Sequence, residues 1–372
     1  MPLESPNIFI TLLAFVILIG GLVIIHELGH YGVGRWFGVK AEKFSIGFGP
    51  QLWGWVDKRG TLWRVGALPL GGYVQFAGDM NPASQPSEEW LNLPAEQRNQ
   101  TFQSKPLWQR ALIVFAGPAI NFLFAIILLS GFLVVYGQSV SAPVASLVEK
   151  DSAAEKAGIK VGDRILSING QRVDSFQQLA TEVSIYANAT VTLRLMQNGR
   201  EIEKSIKLDE LVERDRFGNE YRRGLLGLRS NAVETRDVSP LAAPWLATKE
   251  TYNIVRLTVT TLGQIISGKR SVKELGGPIK IAKVAGEYFT LGFAAFVWLA
   301  AMISINLGFM NLLPIPMLDG GHLLLYAVEA VRRRPATPIV QEWAFRGGFV
   351  MLIGFMLMVT FNDLASIGLF GR

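Results

Sequence analysis

Four long, nearly uncharged runs constrain the fold of this chain more than any other feature of its sequence. The first three reach or exceed the roughly 20 residues that a helix needs to cross a bilayer, and the last is near the lower limit. A hydrophobic content of 50% and a mean hydropathy of +0.30 indicate a membrane protein with a polar portion attached. The runs cover residues 5–25, 111–148, 288–318 and 347–362.

The basic residues predict how these runs are oriented. The net charge is +6 and the pI is about 9.5, yet Lys and Arg fall mostly in short connections beside the runs rather than in one patch. We therefore expect no nucleic acid partner. Cytoplasmic loops carry an excess of Lys and Arg, so the connections between runs one and two and between runs three and four should be cytoplasmic. The N-terminus, the middle region and the C-terminus should then be periplasmic.

The first run leads directly into the segment His26-Glu27-Leu28-Gly29-His30. Residues four apart on a helix lie one turn apart on the same face, so the two imidazoles can converge on one metal ion. Glu27 lies beside them as a candidate general base. This spacing also arises by chance on helices, but two of the three histidines of the chain lie here, in a segment where an ionisable side chain is costly. We interpret the run as a retained helix, because it lacks the basic start and the cleavage site of a signal peptide.

The third run ends in a proline-rich segment, residues 311–322, that supplies candidates for the rest of the site. Its two prolines must break the helix, and irregular backbone at membrane depth is tolerated only where it lines a cavity. A catalytic zinc needs three protein ligands, and the chain has no cysteine, so Asp319 is the candidate third ligand, with a helix N-cap as the alternative. We assign His322 a supporting or structural role. Asn311 is a candidate contact to a substrate backbone, with an interhelical hydrogen bond as the alternative.

Residues 42–78 have the pattern of a small β-sheet. Short aromatic-rich segments alternate with turns that contain Gly, Pro or Asp. We expect this sheet to dip into the membrane interface and border the catalytic cavity, and a cytoplasmic β-loop with an aromatic core is the alternative. An irregular loop should follow to residue 105, and Asn121 in the second run should form an interhelical hydrogen bond. The expected strands are residues 43–48, 51–55, 62–65 and 72–76.

The middle of the chain, from about Val140 to Leu211, has the composition of a soluble domain. Its segment Gly162-Asp163-Arg164-Ile165-Leu166-Ser167-Ile168-Asn169-Gly170 resembles the signature of a PDZ domain. That resemblance implies capture of extended peptides, frequently by their C-terminal carboxylate, and a spacer or gate without a ligand is the alternative. A further hairpin is expected at 216–229, turning at Gly218-Asn219. An amphipathic helix after Pro244 should lie on the outer membrane surface or pack against the domain.

These elements predict an α-helical polytopic membrane protein of four transmembrane helices, with a membrane-associated β-hairpin or sheet loop and a mixed α/β PDZ domain. The expected divisions are 1–38 (first span with the two histidines), 39–105 (β loop and polar linker), 106–137 (second span), 138–230 (periplasmic PDZ domain and hairpin), 231–285 (amphipathic helix and linker), 286–325 (third span with Asp319), 326–342 (cytoplasmic loop) and 343–372 (fourth span and C-terminus).

The ordered combination of motifs resembles the site-2 protease family of intramembrane zinc metalloproteases. Its parts are His26–His30, the segment Phe115-Ala116-Gly117-Pro118-Ala119-Ile120-Asn121-Phe122, the PDZ-like domain and the segment from Asn311 to Gly320. The bacterial regulator-of-sigma-E proteases are the most similar type. The resemblance implies zinc at His26, His30 and Asp319, Glu27 as general base, and Asn311 as a substrate contact. Those bacterial enzymes carry two PDZ domains, whereas this chain has room for one.

The resemblance also implies a function in the bacterial inner membrane, with the active site near the cytoplasmic side. The expected activity is zinc-dependent cleavage of membrane-spanning segments, either of anti-sigma factors in stress signalling or of signal-peptide remnants. The expected partners are these substrates, peptide C-termini and membrane lipid. The alternative is a non-catalytic zinc-binding scaffold that recruits partners through its PDZ domain, but a structural site has no need of Glu27 and is normally closed by four ligands. A zinc transporter is a further alternative, but it would need a polar path through several helices, whereas the polar groups here converge at one depth only.

Overall fold

The computed structural model describes residues 6–78, 93–214, 220–230, 234–334 and 337–366. The chain divides into two compact units. The first contains residues 1–129 and 276–363, and the second contains residues 130–275 and 364–372. The helices are α1 (Ile8–Trp36), α2 (Ala95–Arg98), α3 (Leu107–Tyr136), α4 (Ala153–Lys156), α5 (Phe176–Ile185), α6 (Ala243–Ile266), α7 (Pro278–Thr290), α8 (Phe293–Asn311), α9 (Asp319–Arg332) and α10 (Pro338–Ser366).

The strands are short in the second unit and long in the first. They are β1 (Ala41–Val56), β2 (Leu62–Phe76), β3 (Gln138–Val140), β4 (Leu147–Val148), β5 (Arg164–Ile168), β6 (Gln171–Arg172), β7 (Thr190–Gln197), β8 (Arg200–Lys207), β9 (Asp209–Arg214), β10 (Glu220–Leu225), β11 (Leu228–Arg229) and β12 (Glu234–Arg236).

Four helices of the described chain are long and apolar enough to cross a membrane, as the four runs predict: α1, α3, α8 and residues 342–365 of α10. The third run differs in extent from the single span expected at 286–325. Helix α7 ends at Thr290, and α8 begins at Phe293 after Gly292, whose φ of 107° is accessible to glycine but strained for other residues. A second break separates α8 from α9, at the prolines that predicted it.

Helix α1 buries only one narrow stripe. Ala14, Leu18, Leu22 and His26 recur every four residues and so lie on one face. The first three pack with Ala285 of α7 and with α8, whereas much of the rest of α1 is exposed and apolar, as expected for a helix surrounded by lipid. His26 thus lies on the same face through which α1 packs against α7 and α8.

Strands β1 and β2 pair with each other and fold over at glycine residues. Phe44 of β1 lies opposite both Val74 and Trp63 of β2, and Trp63 also lies opposite Trp55. The four expected segments therefore lie side by side as parts of two bent strands. Among the described residues, residues 62–65 lie between two segments of β1, whereas residues 72–76 pair with residues 41–46 on one side only. Segment 72–76 therefore lies at an edge of the sheet. Three of the bends coincide with positive φ, at Gly47, Gly49 and Gly71.

The last part of the loop expected at 79–105 packs against the end of β2. Residues 79–92 lie outside the described residues, and the remainder begins with α2. Phe102 is buried, and its ring stacks on that of Phe76 with 5.8 Å between centroids. Its main-chain N–H donates to the carbonyl of Ala77. The end of the loop thus anchors β2 beside the start of α3.

The second unit is a separate mixed α/β domain. Its largest sheet has the strand order β6-β5-β7-β8, and three smaller strand pairs join β9 to β10, β11 to β4 and β12 to β3. Alternate residues of β7, Val191, Leu193 and Leu195, point into an aliphatic core, as the alternating sequence predicts. The turn between β5 and β6 has positive φ at Asn169 and Gly170, as a tight Asn-Gly turn requires.

The segments that follow this sheet differ in detail from expectation. The hairpin expected at 216–229 consists of β9 and β10, so it begins earlier, and its expected turn at Gly218-Asn219 lies outside the described residues. Helix α6 packs on α5 within this unit. Its Arg256 forms an ion pair with Glu182, and the amide of Gln264 donates to the carbonyl of Ile185 at 2.8 Å. Of the two alternatives for the amphipathic helix, packing against the domain is therefore observed.

Candidate metal centre

The two histidines of α1 point at α3, and each is held by its Nδ1 atom. His30 Nδ1 lies 2.9 Å from the main-chain oxygen of Ile113, and His26 Nδ1 lies 3.0 Å from the side-chain amide of Asn121. Both Nε2 atoms are therefore directed to the same point, and they lie 3.2 Å apart. One turn of helix between the two residues produces this convergence, as the sequence spacing predicts.

Asp319 brings a carboxylate to the same point from α9. Its Oδ2 atom lies 3.1 Å from His26 Nε2 and 3.5 Å from His30 Nε2. The alternative role as a helix N-cap is not observed, because Leu318 occupies the cap position and Asp319 is the first residue of α9. Within the described residues, Asp319 Oδ2 is buried and has no hydrogen-bond partner. A buried acceptor with no donor is the state expected of an atom that serves as a metal ligand.

These three atoms fit one face of a tetrahedral metal site. Zinc binds His nitrogen at about 2.0–2.1 Å and carboxylate oxygen at about 2.0–2.2 Å, which places neighbouring ligand atoms about 3.3–3.5 Å apart. The observed separations of 3.1, 3.2 and 3.5 Å lie within about 0.2 Å of that range. His26, His30 and Asp319 also form the one group of metal-ligating side chains in the described part of the chain. The residues present therefore fit a zinc ion with three protein ligands.

Glycine in α3 makes room for the histidines. A Cβ atom added at Gly117 would overlap the ring of His30 and lie 2.9 Å from His26 Cε1. A Cβ atom at Gly29 would similarly lie 2.8 Å from the main-chain carbon of Ala116. Helices α1 and α3 can therefore approach closely only because each has a glycine at the crossing point, which is a common means of helix packing in membranes.

Glu27 shares a cavity of about 530 Å³ with the three ligand candidates. Asn311 and His322 line the same cavity, so the structure brings together all six residues that the sequence singled out. The ring of His322 packs on Phe345 of α10, with 4.9 Å between centroids, which agrees with a supporting role. The edge segment of β2 also lines the cavity, and Gly72 keeps its wall clear beside Glu27. The sheet thus borders the cavity, as expected.

The broken segment before α9 places Asp319. Cβ atoms added at Gly320 or Gly321 would collide with the main-chain carbonyls of Leu312, Leu313 and Ile315, so the segment folds tightly over the start of the helix. Met317 has a φ of 83°, a conformation that is rare for residues other than glycine. Such strain is maintained only where the surrounding structure enforces it. Here it turns the chain so that α9 starts with its first side chain in the cavity.

Sequence reasoning missed three features of this site. The interhelical hydrogen bond expected of Asn121 is confirmed, but the sequence did not show that its partner is His26. The carbonyl of Ile113 carries no sequence signal, because any residue could supply it. Gly117 lies in a segment that supports the family resemblance, but nothing in the sequence shows that its neighbour is an imidazole. These roles depend on which helix faces α1, and that is a tertiary property.

Apolar helices that enclose two histidines, an aspartate and a glutamate define the class of membrane-embedded zinc metallopeptidases. The chain belongs to Peptidase family M50, whose model matches residues 14–355. It is 41% identical over 371 residues to "Putative zinc metalloprotease R01501" of Rhizobium meliloti, covering 98% of this chain and 99% of that protein. It is 37% identical over 380 residues to "Metalloprotease MmpA" of Caulobacter vibrioides, covering 95% of each. The chain is therefore a zinc metalloprotease of a membrane-embedded family.

Proposed function

We propose that this protein is an intramembrane endopeptidase of the site-2 type, with zinc held by His26, His30 and Asp319 and with Glu27 as general base. The observation that carries the proposal is the position of the three ligand atoms and Glu27 in one cavity among apolar helices. A purely structural zinc site would be closed by a fourth protein ligand. In the described residues, three ligand candidates leave a position open beside a carboxylate.

Each residue of the cavity has a separate role in peptide hydrolysis. When bound, zinc polarises the substrate carbonyl and lowers the pKa of a water molecule. Glu27 accepts the proton of the attacking water and returns it to the leaving amine. Asn311 lines the cavity at the end of α8, where its amide can hydrogen-bond the main chain of a substrate. His322 shapes the cavity wall through its contact with Phe345.

The edge segment 72–76 of β2 is suited to hold an unwound substrate. A transmembrane helix hides its carbonyls in internal hydrogen bonds, so its scissile bond must be exposed by local unwinding. An unwound segment at membrane depth needs new partners for its N–H and C=O groups. The edge of β2 beside Glu27 can supply them by strand addition, which is a common mode of peptide recognition.

We further propose the substrates and the orientation that the site-2 family suggests. The substrates are single membrane-spanning segments of anti-sigma factors or signal-peptide remnants in a bacterial inner membrane, as in the regulator-of-sigma-E proteases. The second unit is a single periplasmic PDZ domain that binds peptide C-termini, and the metal centre lies towards the cytoplasmic side. The sheet order around β5 and β7, with α5 beside it, and the Asn-Gly turn support the PDZ assignment.

The variant Glu27→Gln tests the catalytic role. The amide keeps the size of the carboxylate but cannot accept a proton, so cleavage of a membrane substrate in proteoliposomes should fall by about 10²–10⁴-fold. The zinc content should stay at one ion per chain. Glu42→Gln is the matched control, because Glu42 is exposed on β1 outside the cavity, and it should cleave normally. Normal cleavage by Glu27→Gln would refute the assignment.

The same variant can identify the substrate. An enzyme that binds without cleaving should retain its substrate in membranes, where crosslinking and mass spectrometry can identify it. Fragments produced by the unmodified protein then locate the cleavage site. Recovery of only soluble proteins, or cleavage sites far from any hydrophobic segment, would contradict an intramembrane substrate.

A further inference from the structure

Asn121 is a buried polar residue for which the mechanism above has no role. It lies on α3 with none of its surface exposed. Its main-chain oxygen accepts a hydrogen bond from the hydroxyl of Ser304 on α8 at 2.8 Å. Its side-chain nitrogen is placed 3.0 Å from His26 Nδ1, while its side-chain oxygen has no partner among the described residues. Among the described residues, the side chain of Asn121 therefore hydrogen-bonds the imidazole of His26 on α1 and no group on α8.

The neighbouring histidine shows what this contact requires. His30 Nδ1 faces the carbonyl of Ile113 at 2.9 Å, and a carbonyl oxygen can only accept a hydrogen bond. The proton of neutral His30 must then be on Nδ1, which leaves the Nε2 lone pair free. His26 points its Nε2 to the same place, 3.2 Å away. If both rings are to bind one metal through Nε2, His26 Nδ1 must also be a donor.

An asparagine amide can satisfy that requirement in one orientation only. With its nitrogen toward Nδ1, the amide donates, and the proton of His26 is forced onto Nε2, where it blocks metal binding. With its oxygen toward Nδ1, the amide accepts, and Nε2 stays free. The oxygen and nitrogen of an amide have nearly the same shape, so the hydrogen-bonding network must decide between them. With the nitrogen toward Nδ1, the amide oxygen has no partner among the described residues, so the surroundings do not favour that orientation and the requirement of the histidine decides.

We propose that Asn121 is a positioning residue that accepts the Nδ1 proton of His26 through its side-chain oxygen and so holds His26 in the tautomer that binds zinc. This inference rests on the proposed role of His26 as a zinc ligand. Groups that orient metal-binding histidines typically contribute 10–100-fold to metal affinity.

The test compares zinc affinities of full-length variants in detergent by competition with a chromogenic chelator. Asn121→Leu removes the acceptor, and its zinc affinity should fall by about 10–100-fold. Asn121→Asp keeps an oxygen acceptor and removes the donor, and its affinity should stay within about threefold of the unmodified protein or increase. If the amide instead donated to His26, it would oppose metal binding, and Asn121→Leu would bind zinc as tightly as the unmodified protein or more tightly. That result, or a loss of zinc in Asn121→Asp as large as in Asn121→Leu, would overturn the proposal.

Two further variants separate this role from effects on folding or on the ligand set. Ser304→Ala removes a buried interhelical hydrogen bond without touching the imidazole, so it should lower the melting temperature while zinc affinity stays within about threefold. His26→Ala should lose zinc. If it does not, the result refutes the proposed ligand set, on which the role of Asn121 rests. Cobalt(II) absorption gives a second readout. Asn121→Asp should retain the intense visible bands of a tetrahedral site, and bands as weak as those of Asn121→Leu would contradict the proposal.

Discussion

The apolar core of the second unit and the metal centre of the first are built from different kinds of residue. Among the described residues, the fully buried part of that core consists of Ala, Val, Ile and Leu around β5, β7 and α5, with Phe176 and Tyr186 packed against it. The metal centre of the first unit is built from histidine, aspartate, asparagine and glycine, and α1 and α3, which carry most of these residues, bury only 22% and 44% of their most apolar segments. In water, burial of aliphatic surface drives folding. In a membrane, lipid offers the same environment as the core, so close approach and polar contacts decide which helices pair.

The largest effect should come from a single methyl group at the helix crossing. Gly117→Ala places a Cβ atom in the space of the His30 ring, and we expect zinc affinity to fall by at least about 100-fold, with cleavage lost in parallel. Chelator competition and the proteoliposome assay measure the two effects. Gly131→Ala on the same helix is the control, because its added Cβ atom meets nothing within 4 Å. Normal zinc affinity in Gly117→Ala would show that close approach is not what builds the centre.

A large cavity in the second unit should affect stability instead. Leu193 is completely buried in the aliphatic core, and Leu193→Ala should cost about 2–5 kcal/mol of unfolding free energy in that unit. Limited proteolysis between residues 138 and 266 measures the loss, and Val161→Ala, at a position that is 67% exposed, is the control. Zinc affinity should stay within about threefold. If it fell together with stability, the two regions would be energetically coupled, and the comparison between them would fail.

The smallest effect should arise at the surface of the second unit. A hydrogen bond from Lys249 on α6, at 2.8 Å, lowers the pKa of Asp174 below its usual value. The folded-state pKa is depressed, so this contribution is present above the unfolded pKa of about 3.9 and is lost as the pH falls through the folded value. Both groups are solvent-exposed, so Asp174→Asn should cost only about 0.2–1 kcal/mol at pH 7.

Thermal unfolding of this variant at pH 7 and near pH 2.5 measures the contribution. The difference in melting temperature from the unmodified protein should shrink at the lower pH. Lys249→Gln and the double variant complete a thermodynamic cycle, in which the second substitution should add little to the first. A difference that is the same at both pH values would show that Asp174 acts through packing rather than through its charge.

Much of this structure could be predicted from local sequence. The four runs located the membrane helices, and the alternation of residues 191–196 is typical of a strand, as β7 is. The spacing of His26 and His30 predicted their convergence, because the helix itself fixes it. The prolines before Asp319 predicted the break that places this residue. In each case the determining interactions lie within one helix, strand or turn, so the sequence alone contains them.

The remaining features depend on partners that are distant in sequence. Whether α7 and α8 form one helix is decided at Gly292, by a main-chain conformation that a run of apolar residues does not reveal. The contact of Asn121 with His26 joins two helices and requires a particular rotation of α3. The burial of Phe102 depends on Phe76, across a loop of polar composition. These are outcomes of packing, and a periodicity in one segment cannot specify them.

The position of Asp319 on α9 determines when the metal centre can form during biosynthesis. The two histidines leave the ribosome well before Asp319, which follows His30 by 289 residues. With all three as ligands, a nascent protein cannot assemble a complete zinc site until α8 has entered the membrane and the chain has turned back at Met317. On the proposed activity, the protein would thus stay inactive while α1, α3 and α8 insert, when these unassembled helices would be the nearest substrates.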